Sequence, residues 1–181
     1  FRQEKDVNDE QAWSGRVAAR WAPSDAADLN LTYFFQEQDV GGRQSSSRRL
    51  TNLPVSFGKY ESALRILEPS SRDNQLLALE ATFDLGFADL TSATSYSKYS
   101  QLSQRDQTDL AIELGFGYES FPALVDLTSE DVQERRTNQE LRLVSKGAGP
   151  FSWTAGAFYN QFKRTVDYVE FTPGLHEFFV F

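Results

Sequence analysis

The feature that most constrains how this chain can fold is an alternation of apolar and polar residues with a period of two. The segment WSGRVAARW places Trp13, Val17 and Trp21 on one side of an extended strand, and Arg16 and Arg20 on the other. Successive side chains of a β-strand point to opposite faces of a sheet. The pattern therefore predicts a strand that separates two different environments.

Five further stretches alternate in the same way and are predicted strands: 29–36, 75–84, 87–99, 137–145 and 151–162. Short connections rich in Pro, Gly and Asp join the six strands in pairs, as expected for tight turns. The predicted hairpins lie near 13–36, 75–99 and 137–162, and they are separated by two long loops, 37–74 and 100–136.

Long loops without structure of their own are uncommon in compact domains. Outer-membrane barrels, however, combine short periplasmic turns, long extracellular loops and strands of about 10 residues with alternating hydrophobicity. We therefore expect an all-β fold, a fragment of an antiparallel up-and-down transmembrane β-barrel with about six strands of a larger barrel. Residues 1–181 would all belong to one barrel domain.

Aromatic residues near the strand ends fit the girdles of such a barrel. Eight steps from Trp13 to Trp21 in a strand tilted by about 45° span roughly 19 Å along the membrane normal, near the ~25 Å apolar band of these proteins. The predicted lipid-facing girdle consists of Trp13, Trp21, Tyr33, Phe35, Trp153 and Tyr159.

Period two alone shows only that the two faces of a strand differ. A soluble sandwich or a lipocalin-like barrel also alternates, with its apolar side toward a protein interior. A soluble all-β ligand-binding module is therefore the alternative, and lipid contact of the apolar face is the claim that separates the two.

Two segments carry a family resemblance. LLALEATFDLGFADLTSATSYSKYS (76–100) and RTNQELRLVSKGAGPFSWTAGAFYNQFKR (136–164) resemble the barrel region of TonB-dependent outer-membrane receptors. The second is the more specific, because a Q-E-L-R-L strand, a Gly-rich turn and F-x-W-x-x-G-x-F-Y form a recurring hairpin there. GRVAARWAPSDAADLNLTYFFQEQD (15–39) is similar to another hairpin of the family.

The resemblance implies a twenty-two-stranded barrel of the plugged outer-membrane transporter type. It also implies a location in the outer membrane of a Gram-negative cell and contact with outer-membrane lipid. The further partners would be a plug domain, the TonB complex and a scarce small-molecule ligand: a ferric siderophore or other iron chelate, haem, cobalamin or an oligosaccharide. Because the sequence contains no Met and no plug-like segment, we expect the chain to be a piece of a larger protein.

Composition argues against several other functions. The formal net charge of -8 disfavours nucleic-acid binding, which needs basic patches. The absence of Cys excludes thiolate metal sites and disulfides. A single histidine, His176, without a G-x-S-x-G motif argues against a hydrolase triad, so we expect no enzyme, no catalytic residues and no cofactor.

The second long loop carries most of the residues that invite a ligand or helix interpretation. Its acidic residues, which include Asp106 and Asp126, lack EF-hand spacing and are predicted to be solvated charges rather than a metal site. TSED (128–131) matches a helix N-cap and predicts a short helix through Arg135. Four loop aromatics able to stack on a ligand are more simply read as loop packing: Tyr60, Phe116, Tyr118 and Phe121.

Overall fold

The computed structural model describes residues 4–44, 61–62, 64–113, 124–147 and 150–180. The fold is all-β: six strands form one antiparallel up-and-down sheet in the order β1-β2-β3-β4-β5-β6, and the sheet is not closed. The strands are β1 Glu10–Ser24, β2 Ala27–Val40, β3 Ser70–Asp84, β4 Ala88–Asp106, β5 Leu127–Ser145 and β6 Thr154–Phe171, with short helices α1 Thr108–Glu113 and α2 Leu175–Phe179.

Each strand pairs with its neighbour in the chain, which confirms the predicted antiparallel hairpins. Tight turns join β1 to β2 and β3 to β4 at one end of the strands, which we call the short-turn end. In the β3–β4 turn Gly86 has φ of 82°, a left-handed conformation that favours glycine, and its N–H donates to Asp84 Oδ1 over 2.7 Å. Lys146 ties this end together through ion pairs of 2.7 Å to both Asp84 and Asp89.

The opposite end of the strands, which we call the long-loop end, carries the two long connections. Because the strands are longer than predicted, these connections are shorter: 41–69 and 107–126 rather than 37–74 and 100–136. The β2–β3 ladder continues past Phe35 through Gln38, which pairs with Arg72. In that region both faces carry polar side chains. The alternation that reveals a strand is lost there, although the hydrogen-bonded ladder goes on.

The helix predicted from TSED is wrong, because these residues open β5. Thr128 pairs with Arg105 on one side and with Glu170 on the other, and it is only 3% exposed. Pairing on both edges outweighs the local capping preference. A different short helix, α1, follows Asp106, whose Oδ1 accepts the N–H of Thr108 over 3.0 Å.

Very little apolar side chain is buried in the part of the chain that the structure describes. The buried hydrophobic residues there are Ala81, Ala88, Ala111, Leu124, Leu127 and Val132. A small cluster joins Ala111 to Leu124 beside α1. A compact soluble domain of this length buries a much larger apolar core, so the sheet presents most of its large apolar side chains on an uncovered face.

Candidate functional site

The register divides the sheet into an apolar face and a polar face. All six predicted girdle residues lie on the apolar face, and their exposed fractions run from 37% for Phe35 to 73% for Trp13. We call the following residues of this face the apolar belt: Trp13, Val17, Ala19, Trp21, Leu29, Leu31, Tyr33, Phe35, Leu77, Leu79, Ala81, Phe83, Leu90, Tyr96, Leu141, Leu143, Trp153, Ala155, Ala157 and Tyr159.

The polar face carries the charged residues that the sequence placed opposite the apolar set. One line of partners across the sheet joins Arg20, Asn30, Glu80, Ala93 and Glu140. The next line joins polar and small side chains, of which Asn138 Nδ2 donates to Ser95 Oγ over 3.1 Å and Asn160 donates to Asn138. Arg16 and Arg142 lie on this face as well.

In the middle of β2 and β3, the side chains of the belt are more exposed than those between them. On β2 the belt residues Leu31, Tyr33 and Phe35 are exposed, whereas the intervening Thr32 and Phe34 are half-buried. On β3 the belt residues Leu77 and Leu79 are exposed, and Ala78 between them is half-buried. The order reverses further along β3, where Glu80 on the polar face is exposed and Ala81 of the belt is buried.

Three polar side chains interrupt the belt on β4 and β5, and they bond to one another. Gln139 Nε2 donates to Ser92 Oγ over 3.1 Å, and Thr94 Oγ1 donates to Gln139. Their polar groups are thus satisfied without water, as an apolar surrounding would require.

The belt slants across the sheet. Residues directly opposite one another form a rung perpendicular to the strands, and the rung of Tyr159 passes through Gln139 and Leu79 to reach β1 at Ala19. Trp13, the matching aromatic limit on β1, lies six residues beyond Ala19 toward the long-loop end.

The angle of this slant follows from strand geometry. Six residues correspond to about 20 Å along a strand, and the five steps between six strands correspond to about 24 Å across the sheet, which gives an angle of about 40°. The limit at the short-turn end slants the same way. The rung of Trp21 reaches β6 at Ala157, and Trp153 lies four residues beyond it, which gives about 30°.

At the long-loop end, polar contacts fasten both loops to the sheet. The carboxylate of Glu68, 4% exposed, accepts two hydrogen bonds from Arg43, at 3.0 and 3.1 Å, and one from the Asp106 N–H at 3.1 Å. Asp106 Oδ2 in turn accepts from the N–H groups of Arg65 and Ile66. We call these residues, with Thr108 and Asp126, the loop junction.

Thr108 and Asp126 complete the loop junction. The Asp126 N–H donates to Thr108 Oγ1 over 3.0 Å, and the Thr108 hydroxyl donates back to the Asp126 carbonyl oxygen. Burial raises the pKa of the Asp126 carboxyl, and the nearby Glu170 raises it further, although a hydrogen bond from Thr172 opposes the shift. The sequence predicted solvated charges here. The structure instead engages Asp106 and Asp126 in hydrogen bonds that order the loops.

A cavity of about 240 Å³ lies on the polar face beside Arg43 and Glu68. Three of its buried lining atoms have no hydrogen-bond partner among the residues that the structure describes: Ser70 Oγ, Arg72 Nε and Ser103 Oγ. A wider depression of about 500 Å³ occupies the middle of the same face, between Arg16 and Glu140.

Other predictions concern residues outside these surfaces. The four loop aromatics, Tyr60, Phe116, Tyr118 and Phe121, lie outside the described residues. His176 lies exposed in α2. Within the described ranges, no group of three acidic or histidine side chains is arranged to hold a metal ion, and no helix is long and apolar enough to cross a membrane.

No family model matches the sequence, and no curated protein is significantly similar to it.

Proposed function

We propose that this chain is part of the barrel of a TonB-dependent outer-membrane receptor, which takes up a scarce ligand such as a ferric siderophore, haem, cobalamin or an oligosaccharide. Its apolar belt would contact the lipid of a Gram-negative outer membrane. Its polar face would line the barrel interior and meet a plug domain, through which the TonB complex drives uptake.

One observation carries the membrane part of this proposal: the belt is a broad apolar face that no other part of the described chain covers. Trp13, Val17 and Leu31 are exposed on that face, while the charged residues Arg20 and Glu80 lie on the opposite face of the sheet. A lipocalin-like barrel would instead turn its apolar face inward, around a ligand cavity. A sandwich requires a second sheet over the apolar face, and the part of the chain that the structure describes contains a single sheet.

The slant of the belt supports the same proposal independently. Strands of outer-membrane barrels tilt by ~35–45° from the membrane normal, so a flat apolar layer crosses their rungs at that angle. The belt crosses the rungs at about 40° on its long-loop side. A strand directed along the normal would instead give a belt parallel to the rungs.

The two ends of the sheet then face different compartments. Short periplasmic turns and longer extracellular loops are the rule in these barrels, so the loop junction and its cavity would face the outside of the cell. Polar atoms of Ser70, Arg72 and Ser103 lack a partner within the described ranges, so we expect contacts to a ligand or a plug at that cavity. Assignment to TonB-dependent receptors specifically rests on the hairpin formed by β5 and β6.

Fractionation of the full protein tests the proposal. We expect it to be recovered with outer membranes, to require detergent for extraction, and to migrate differently on gels before and after heating, as folded barrels do. Uptake of a bound ferric chelate should stop when the proton gradient is dissipated. Recovery of folded protein from the aqueous fraction without detergent would contradict the membrane assignment, and gradient-independent uptake would contradict the TonB assignment.

A further inference from the structure

Three basic side chains lie next to one another on the apolar face, beyond the belt at the long-loop end. Lys98 on β4 is the direct partner of Arg135 on β5, which is the direct partner of Lys163 on β6. All three side chains are exposed. We call these three residues the basic rung.

This arrangement is unfavourable within the protein alone, because like charges directly opposite each other destabilise a sheet. None of the ion pairs found among the described residues involves the basic rung. By contrast, Arg164, one position further along β6 and on the polar face, pairs with Glu134 at 3.2 Å. The contact resolved for Lys98 is with the ring of Tyr96, whose centroid lies 5.9 Å from Nζ.

The nearest carboxylates on the same face do not neutralise the basic rung. Asp73 lies two residues beyond Gln75, the direct partner of Lys98, toward the long-loop end, and it accepts a hydrogen bond from Ser100. Asp131 and Asp167 are directly opposite each other in the sheet, four residues beyond Arg135 and Lys163. The three cations therefore form an outward-facing row on three neighbouring strands, which are about 4.8 Å apart.

The basic rung lies just beyond the belt, with Lys98 at the height of the lipid headgroups and Lys163 slightly further out. Lys98 lies two residues beyond Tyr96, and Lys163 lies four residues beyond Tyr159. With the tilt of the belt, these steps correspond to about 5 and 10 Å along the membrane normal. The polar layer on each side of a bilayer is about 5–7 Å thick, and long Lys and Arg side chains bend toward such a layer.

We propose that the basic rung binds the phosphate groups of a phosphorylated lipid in the leaflet on the long-loop side of the membrane. This inference rests on the proposed function, since it requires the belt to lie in a bilayer. The Arg135 guanidinium can donate two parallel hydrogen bonds to a phosphate, and the positive charges of the flanking lysines attract the same group. Tyr96 and Tyr159 would contact the same lipid where its chains meet its headgroup.

The test measures binding of diphosphorylated lipid A to the full protein in an uncharged detergent. The variant Lys98→Gln/Arg135→Gln/Lys163→Gln is compared with a matched control on the polar face, Arg16→Gln/Arg136→Gln/Arg142→Gln, which removes the same charge. A basic residue near an anionic lipid surface contributes about fivefold to binding. The first variant should therefore bind about a hundredfold more weakly, and the control should bind like the wild type.

Equal loss of binding in both variants would overturn the inference. Competition by inorganic phosphate as effective as that by the lipid would also overturn it, because it would indicate a site for free anions. Monophosphorylated lipid A should bind with intermediate affinity, and equal affinity for both lipids would also contradict phosphate recognition. If the protein inserts into membranes and the first variant binds lipid A like the wild type, the basic rung has no lipid role while the proposed function stands. Failure to insert would remove both proposals.

Discussion

The ring of Phe35 on β2 lies over Gly15, its direct partner on β1. A Cβ atom added at residue 15 would come within 2.5 Å of Phe35 Cε1. Glycine leaves a gap in the apolar belt at this position, and the aromatic side chain of the neighbouring strand covers it, a known device for stabilising a glycine in a sheet. The two residues therefore form one unit of the belt.

This pairing predicts that the effect of Gly15→Ala changes sign with its partner. With Phe35 present, the added methyl group displaces the ring, and we expect a loss of about 0.5–1 kcal/mol, the scale of a cross-strand pair. With Phe35→Ala, the same substitution should stabilise the protein by about 0.5–1 kcal/mol, because Gly is a poor strand residue. The measurement is the free energy of unfolding in lipid vesicles. An identical effect in both backgrounds would show that the residues are not coupled.

The two faces of β3 should respond differently to a buried charge. Leu79 belongs to the belt and pairs with Leu31, whereas the adjacent Ala78 pairs with Thr32 on the polar face. We expect Leu79→Arg to cost about 2–4 kcal/mol in the free energy of unfolding in vesicles, the cost of arginine at the lipid midplane. Ala78→Arg, the matched control, should cost less than about 1 kcal/mol, as expected for a lumen-facing position. Equal costs would argue against lipid on the belt side.

Much of the sheet could be predicted from sequence because each environment leaves a mark on the side chains. Trp13, Trp21 and the arginines between them are enough to define both faces of β1. The limits of the strands could not be predicted in the same way. Beyond Phe35 and before Gln75 both faces are polar, so nothing distinguishes a strand from a loop there.

The loop junction was also beyond sequence reasoning. Its contacts join residues far apart in the chain, such as Arg43 to Glu68 and Arg65 to Asp106. Acidic residues in a loop carry no local signal of such partners. The basic rung could not be predicted for a similar reason, because its three members become neighbours only through the register of β4, β5 and β6.

Asp126 gives the loop junction a defined pH dependence. Because its pKa is raised above the usual 3.8 in the folded protein, ionisation opposes folding at higher pH, and this cost disappears as the pH falls below that value. Asp126→Asn keeps the acceptor for Thr172 but removes the charge. At pH 7 the Gln107 amide, which donates to the Asp126 carbonyl, should exchange more slowly in the variant than in the wild type.

The control for this prediction is the same exchange measurement at low pH. Near pH 3 the protonated aspartic acid resembles asparagine, so the protection factors of wild type and variant should converge. Slower exchange in the wild type than in the variant at pH 7 would mean that the charge of Asp126 stabilises the loop junction, contrary to the direction of its pKa shift.

Lipid contact of the belt is the central claim, and site-directed spin labelling tests it most directly. The chain contains no cysteine, so single labels are readily placed at Val17, Leu79 and Ala155 on the belt and at Ala18 and Ala78 on the polar face. In the full protein in vesicles, the belt labels should collide more with oxygen, which concentrates in hydrocarbon, than with a water-soluble nickel chelate, and the other two labels should show the reverse. Belt labels that are immobilised and reached by neither reagent, or reached mainly by the nickel chelate, would contradict the account.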